Sequence, residues 1–109
     1  MADVLGAFEQ AVLLAIVRLR DEAYGRAVYK EVQVRLGRNV AAGAVHATLE
    51  RLEHKGLVAS RLGSGTPIRA GRPRRYYRPE PSGMSALNDA RATVEALWRG
   101  LEWPMKGFA

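Results

Sequence analysis

The sequence predicts a small, mainly α-helical domain of the α+β class, with two short strands placed before the last helix. Apolar residues recur at helical spacing in four stretches, and a tyrosine-containing strand pattern separates the third stretch from the fourth. The 109 residues are enough for one compact domain with its own core. The chain is 48% apolar and 26% charged, which is the balance of a folded globular protein.

The first helix is predicted from Leu5 to Leu19, where apolar residues fall three and four positions apart. A second helix follows, with Asp21 as its candidate N-cap and Gly37 as its stop. The apolar residues of this second helix keep a spacing of four, at Tyr24, Val28, Val32 and Leu36.

A third helix is predicted after Asn39, which is its candidate N-cap, and it runs to Gly56, a glycine suited to a left-handed helix end. Its apolar stripe consists of Val45, Leu49 and Leu52. The second and third helices are therefore joined by a very short turn. This is helix-turn-helix spacing, although such pairs also occur in proteins that never touch DNA.

Two strands are predicted after the third helix, from Leu57 to Leu62 and from Arg74 to Arg78, with a loop at Gly63–Pro67 between them. Two strands joined by a long basic loop form a wing. Pro79 is expected to break the second strand.

Pro81 suits the first turn of a last helix, predicted from about Ser82 to Leu101. This helix carries a 3-4-3-4 seam typical of a coiled coil, which predicts dimerisation through Leu87, Ala90, Val94, Leu97 and Leu101. Trp98 lies beside the seam and is expected at the edge of the interface near Phe8, as packing or as the floor of a ligand pocket. We thus predict a winged helix-turn-helix over residues 1–79 and a dimerisation helix with its tail over residues 80–109, in one compact unit.

The net charge of +6 is concentrated in one segment. Residues 58–79 contain six arginines and no acid, whereas the residues before and after them contribute +1 and −1. Such a patch predicts a polyanionic partner. The alternative is a solvated loop that is rich in arginine.

Three stretches in this order resemble the PadR family of bacterial transcriptional regulators. They are Ala23-Tyr24-Gly25, the segment from Gly43 to Val58 (GAVHATLERLEHKGLV), and Gly71-Arg72-Pro73-Arg74-Arg75-Tyr76-Tyr77. The resemblance implies a winged helix-turn-helix, a homodimer formed through the C-terminal helix and the first helix, and repression relieved in many members by a small ligand.

Three features depart from the usual family pattern. His46 replaces a tyrosine in the middle of the third helix, so the DNA-backbone contact there is expected to be weaker or differently made. Pro79-Glu80 replaces Leu-Thr and removes a threonine cap from the last helix. With a single C-terminal helix, the chain resembles the short branch of the family.

The face of the third helix opposite its apolar stripe is the predicted groove-facing surface. Small residues there permit close approach to base edges, with Ala47 against a thymine methyl, and Glu50 can accept from cytosine. The surface consists of Gly43, Ala47, Glu50 and His54, flanked by His46 and Arg51. Because strong base readers are few, we expect binding to rely on phosphates and DNA shape. The alternative is an ordinary exposed helix face.

The wing arginines Arg72, Arg74 and Arg75 are predicted to neutralise phosphates or to enter the minor groove. Tyr24 and Gly25 lie where the second helix begins, and the free N–H groups of a helix N-terminus can bind phosphate. A turn-forming or packing role explains this pair equally well.

Catalysis is not expected, because no nucleophile–base order, carboxylate pair or metal spacing occurs. The chain lacks cysteine, and its histidines, His46 and His54, are too far apart for one metal site. We expect no cofactor. The longest apolar run, Ala11–Val17, is too short to span a membrane and no secretory signal is recognisable, so we expect a cytoplasmic protein. The rival to a DNA-binding regulator is a winged helix that binds a protein or ligand and no specific DNA.

Overall fold

The computed structural model describes residues 4–63 and 73–108. Four helices and a two-stranded antiparallel sheet follow one another in these ranges, which confirms the predicted winged helix-turn-helix architecture with a C-terminal helix. The elements are α1 (Ala7–Leu19), α2 (Gly25–Leu36), α3 (Ala42–His54), β1 (Val58–Leu62), β2 (Arg75–Pro79) and α4 (Pro81–Trp98), with a 3-10 turn at Arg20–Glu22. In the described residues, no helix combines the length and the apolar composition that a membrane span requires.

Helix α1 lies at the centre of the core and contacts α2, α3, β2 and α4. Its residues Val12, Leu13 and Ile16 are fully buried. The predicted apolar stripes of α2 and α3 face it, except for Leu36 at the end of α2, which is exposed. Burying one side of each amphipathic helix removes that side from water. The buried residues of these stripes are Val28, Val32, Val45, Leu49 and Leu52.

The prediction of Asp21 as the N-cap of α2 is wrong. Asp21 lies in the 3-10 turn, and α2 begins at Gly25 with Tyr24 as its N-cap. The backbone just before α2 is used by the wing instead, since the Ala23 carbonyl accepts a hydrogen bond from the N–H of Tyr77 at 2.8 Å. This long-range pairing delays the start of the helix.

The prediction of Asn39 as the N-cap of α3 is also wrong, because α3 begins at Ala42 with Ala41 in the cap position. The connection from α2 is stabilised differently. The Oε1 atom of Gln33 accepts a hydrogen bond from the N–H of Val40 at 3.2 Å, which ties the turn to the end of α2.

Both predicted glycine stops are confirmed. Gly37 has φ 66° and Gly56 has φ 77°, the left-handed conformation that a residue without a Cβ adopts without strain.

The prediction that Pro79 breaks the second strand is wrong. Pro79 is the last residue of β2 and lies opposite Val58. The N–H of Tyr77 points away from β1 towards Ala23, and the nitrogen of Pro79, two residues further, points the same way. The ladder to β1 therefore needs no N–H at this position.

Helix α4 begins at Pro81, which agrees with the prediction that this proline lies in the first turn of the last helix. The helix ends at Trp98. The predicted extension to Leu101 is wrong, because Arg99 leaves the helical conformation and Gly100 has φ 86°. Residues 91–100 are all exposed, so the second half of α4 extends beyond the core. The molecule is elongated, with extents of 60 × 31 × 20 Å.

Candidate nucleic-acid interface

The wing, the start of α2 and the first half of α3 form one continuous surface. The rings of Tyr24 and Tyr76 lie 5.7 Å apart, centre to centre, which joins the start of α2 to β2. A groove of about 310 Å³ lies between the start of α2 and the first half of α3, with Gly25 and His46 among its lining residues. We call this surface the HTH–wing face; it comprises Tyr24–Arg26, Gly43, His46, Ala47, Glu50 and Arg74.

The α3 part of the HTH–wing face is exposed, as the sequence predicts, at Gly43, His46, Ala47 and Glu50. The Nε2 atom of His46 lies 3.6 Å from Oε2 of Glu50 one turn later, and both side chains are 69% exposed. Gly43 and Ala47 are small and allow a close approach to base edges. The one carboxylate and one imidazole beside them offer few bidentate contacts.

Arg51, predicted to flank this face, points instead towards α1. Its Nε donates to Oε2 of Glu9 at 3.3 Å, and its Nη2 donates to Oγ1 of Thr48 at 3.2 Å. Lys55 also donates to Oε2 of Glu9, at 3.0 Å. In the free chain Arg51 therefore connects α3 to α1.

The carboxylate of Glu9 is ionised more readily than an ordinary glutamate. Burial raises its pKa, but hydrogen bonds from Lys55, from the backbone of Gly6 and from Arg51 outweigh that effect and lower the pKa overall. Sequence reasoning missed this contact, because its partners lie 42 and 46 residues further along the chain.

The wing arginines point in different directions. The guanidinium carbon of Arg74 lies 4.1 Å from the centre of the Tyr24 ring, at the start of α2. Arg75 faces α3: its Nη1 donates to the hydroxyl of Ser60 at 3.0 Å, and that hydroxyl donates to Glu53 at 2.6 Å. Arg72 lies outside the described residues, as does the predicted loop from residue 64 onward.

Residues 58–79 contain no acid of their own, but one of their arginines still has a counterion. Arg78 forms an ion pair with Glu80, which lies just beyond it. Sequence reasoning also missed Arg26 as a member of the HTH–wing face, and Tyr76 as the residue whose ring joins β2 to that face. The alternation of strand residues from Arg74 to Arg78 was the available signal, because it places Arg74, Tyr76 and Arg78 on one side.

The predicted dimer seam is divided between the core and the surface. Ala90 is buried within its own chain and Leu87 packs against the core, whereas Val94, Leu97 and Trp98 are 48%, 73% and 44% exposed. Leu101 is exposed but follows the end of α4.

The groove beside α4 does not form the predicted ligand pocket at Phe8 and Trp98. That groove, of about 510 Å³, lies between α4 and the residues before α1. Leu5, Leu57 and Ala90 line it, and Phe8 and Trp98 do not. Phe8 packs against the core instead.

Residues 13–89 match the Transcriptional regulator PadR-like family. The transcriptional regulator Rv3488 of Mycobacterium tuberculosis is 37% identical over 79 residues, which cover 72% of this chain and 69% of that protein. A PadR family transcriptional regulator from Eggerthella lenta is 32% identical with a TM-score of 0.63, covering 79% of this chain and 72% of that one. A PadR family transcription regulator from Clostridium difficile, 22% identical, has the same fold, with a TM-score of 0.65 over 85% of this chain and 95% of that one.

The matched residues run from α1 into α4 and include the whole HTH–wing face. The family and the relatives named above are transcriptional regulators. The observed architecture, the match to residues 13–89 and the likeness to the mycobacterial regulator agree. The chain belongs to the PadR-like family of transcriptional regulators.

Proposed function

We propose that this regulator acts as a homodimeric repressor that binds a palindromic DNA operator through the HTH–wing face. The observation that supports this most strongly is the juxtaposition of three elements. The exposed side of α3, the start of α2 and Arg74 lie next to one another, so a duplex that receives α3 also meets the other two.

In this proposal α3 lies in the major groove, with Gly43 and Ala47 closest to the bases. The first N–H groups of α2, beginning at Gly25, face a backbone phosphate. Arg74 and Arg75 neutralise phosphates on the wing side or enter the minor groove. The resulting interface is strong in phosphate contacts and sparse in base contacts, so operator choice relies partly on DNA shape.

A second copy of the chain is the proposed partner of α4. The second half of this helix extends beyond the core and exposes Val94, Leu97 and Trp98 to water. These residues continue the seam begun by Leu87 and Ala90 with coiled-coil spacing, and pairing with the same seam of another chain removes them from water.

Selection of bound fragments from the source genome tests the DNA-binding proposal. We expect enrichment of a palindrome whose half-sites lie about 34 Å apart, one turn of the duplex, to match two recognition helices in a dimer. A reporter placed behind the selected operator should then be transcribed less when the protein is present. Failure to enrich any sequence would favour the rival, a winged helix that binds a protein or ligand instead.

We further propose that a flat aromatic effector relieves repression by binding near Trp98 at the dimer edge, close to Phe8 of one chain. Trp98 is 44% exposed in the single chain, so its ring is available to a ligand. Replacing the other tryptophan, Trp103, by phenylalanine isolates the fluorescence of Trp98. Saturable quenching by flat aromatic compounds, together with release of the operator, is expected; quenching without release would argue against an effector.

A further inference from the structure

Two tyrosines in contact with each other, with one arginine on the outer side of each, form a row at the base of the wing. The guanidinium carbon of Arg74 lies 4.1 Å from the centre of the Tyr24 ring, and the Tyr24 ring meets the Tyr76 ring edge-on, with 66° between their planes. The guanidinium carbon of Arg61 lies 5.0 Å from the centre of the Tyr76 ring. We call these four side chains the wing stack.

The backbone around the wing stack is also fixed. Tyr24 and Tyr76 form an antiparallel bridge, and the N–H of Gly63 donates to the carbonyl of Arg74 at 2.6 Å. Gly63 has no side chain, and a Cβ there would lie only 2.8 Å from Cε1 of Tyr76. The glycine therefore provides the space that the Tyr76 ring occupies.

The two arginines of the wing stack keep their charge available. Within residues 4–63 and 73–108, neither Arg61 nor Arg74 forms an ion pair, in contrast to Arg78. A guanidinium on a ring face is attracted by the electrons of the ring without losing its N–H donors to a carboxylate. The donors at the edge of the guanidinium plane can still bind phosphate.

We propose that Tyr24 and Tyr76 are positioning residues, which hold Arg74 and Arg61 in place for phosphate before DNA arrives. The proposal rests on the proposed DNA binding and gives Tyr24 a new role. The sequence predicts either a contact of Tyr24 with the DNA or a turn-forming or packing role, whereas here its ring acts through Arg74. A long exposed arginine loses rotamer freedom when it binds, and an arginine that is already stacked loses less.

The mobility of Arg74 in the free protein tests directly whether this arginine is held in place before DNA binds. We expect ¹⁵N relaxation of the arginine Nε–H groups to show Arg74 restricted in the wild type and in Tyr24→Phe, which keeps the ring. In Tyr24→Leu, Arg74 should become as mobile as Arg99, an exposed arginine after α4. Equal mobility of Arg74 and Arg99 in the wild type would overturn the proposal, whether or not the chain binds DNA.

Binding to a random-sequence duplex at low salt supplies the second test. Tyr24→Leu should bind about two- to fivefold more weakly than Tyr24→Phe, which keeps the ring; this is the equivalent of one exposed cation–π contact. The salt slope should not change in Tyr24→Leu, because no charge is lost, whereas Arg74→Gln should lower the slope by about one unit.

Equal weakening by Tyr24→Phe and Tyr24→Leu would assign the effect to the hydroxyl and overturn the proposal. If Tyr24→Leu does not fold, Gly63→Ala replaces it, since the added Cβ must displace the Tyr76 ring. That variant should free Arg61, which lies on the displaced ring, and unchanged relaxation of Arg61 would count against the wing stack. A wild type that binds no DNA refutes the proposed function, and the relaxation of the free protein still decides the role of Tyr24.

Discussion

At the scale of single residues, Glu9 is the clearest case of a side chain whose role depends on the fold. Its side chain is 13% exposed and accepts from both Arg51 and Lys55, at the end of α3. The sequence did not predict this contact, and Arg51 was assigned to the groove-facing side of its helix. A helical rotation angle places a residue on a face, but it does not show that a carboxylate from α1 lies beside that face.

We predict that Glu9→Gln lowers the free energy of unfolding by about 1 kcal/mol at neutral pH, because two partly exposed ion pairs are lost. The folded-state pKa of Glu9 is lowered, so its contribution is present above the unfolded pKa and is lost as pH falls through the folded one. The difference between variant and wild type should therefore shrink on acidification, as measured by urea unfolding at several pH values.

The matched control is Glu31→Gln, which removes a single exposed i,i+4 pair with Arg35. It should cost only about 0.3–0.5 kcal/mol. A loss for Glu9→Gln that stays constant down to acidic pH would contradict the ion-pair assignment.

Gly83 is a second residue whose importance appears only in three dimensions. It lies in the first turn of α4 against the turn between α3 and β1, and a Cβ on Gly83 would lie 2.2 Å from the carbonyl oxygen of Leu57. Because that neighbour is backbone, we predict that Gly83→Ala destabilises the protein by roughly 1–3 kcal/mol, visible as a lower Tm.

The control for Gly83→Ala is the same substitution at Gly43, an exposed glycine in α3 with no atom near its missing Cβ. Gly43→Ala should raise stability by up to about 1 kcal/mol, because alanine favours the helix. Equal effects of the two substitutions would show that the contact with Leu57 is unimportant.

At the scale of elements, the helices themselves were predictable, but the beginnings of α2 and α3 were not. Apolar periodicity found the buried faces of α1, α2 and α3, and Gly37 and Gly56 marked helix ends correctly. The caps at Asp21 and Asn39 failed because contacts distant in sequence or outside the helix, from the wing and from Gln33, fix those turns. Local propensity carries no information about such partners.

Helix α4 makes the proposed dimer testable. We predict that Leu97→Asp, at a side chain that is 73% exposed, leaves the fold intact but converts a dimer to a monomer in sedimentation equilibrium, because it places a charge in the apolar seam. Asn88→Asp, an exposed position on the same helix and outside the seam, should remain dimeric. A wild type that sediments as a monomer would refute the dimer.

At the scale of the whole molecule, the distribution of charge was the most informative property of the sequence. All of the net charge lies in residues 58–79, and the fold places the described part of this segment beside the start of α2. The architecture was predictable because periodicity, glycine stops and the strand pattern agree. The different contacts of the wing arginines were not predictable. Arg74 stacks on Tyr24 while Arg75 faces Ser60, and the order of residues along the chain does not show this difference.

The most direct test of the proposed function is the affinity for DNA measured over a range of salt concentrations, on the selected operator and on a scrambled duplex of the same length. We predict tighter binding to the operator, with log Kd rising linearly with log salt for both duplexes, because wing arginines displace counterions from phosphates. The slope should fall by about one unit in Arg74→Ala. Equal affinity for both duplexes, or binding that is indifferent to salt, would contradict recognition of an operator through the HTH–wing face.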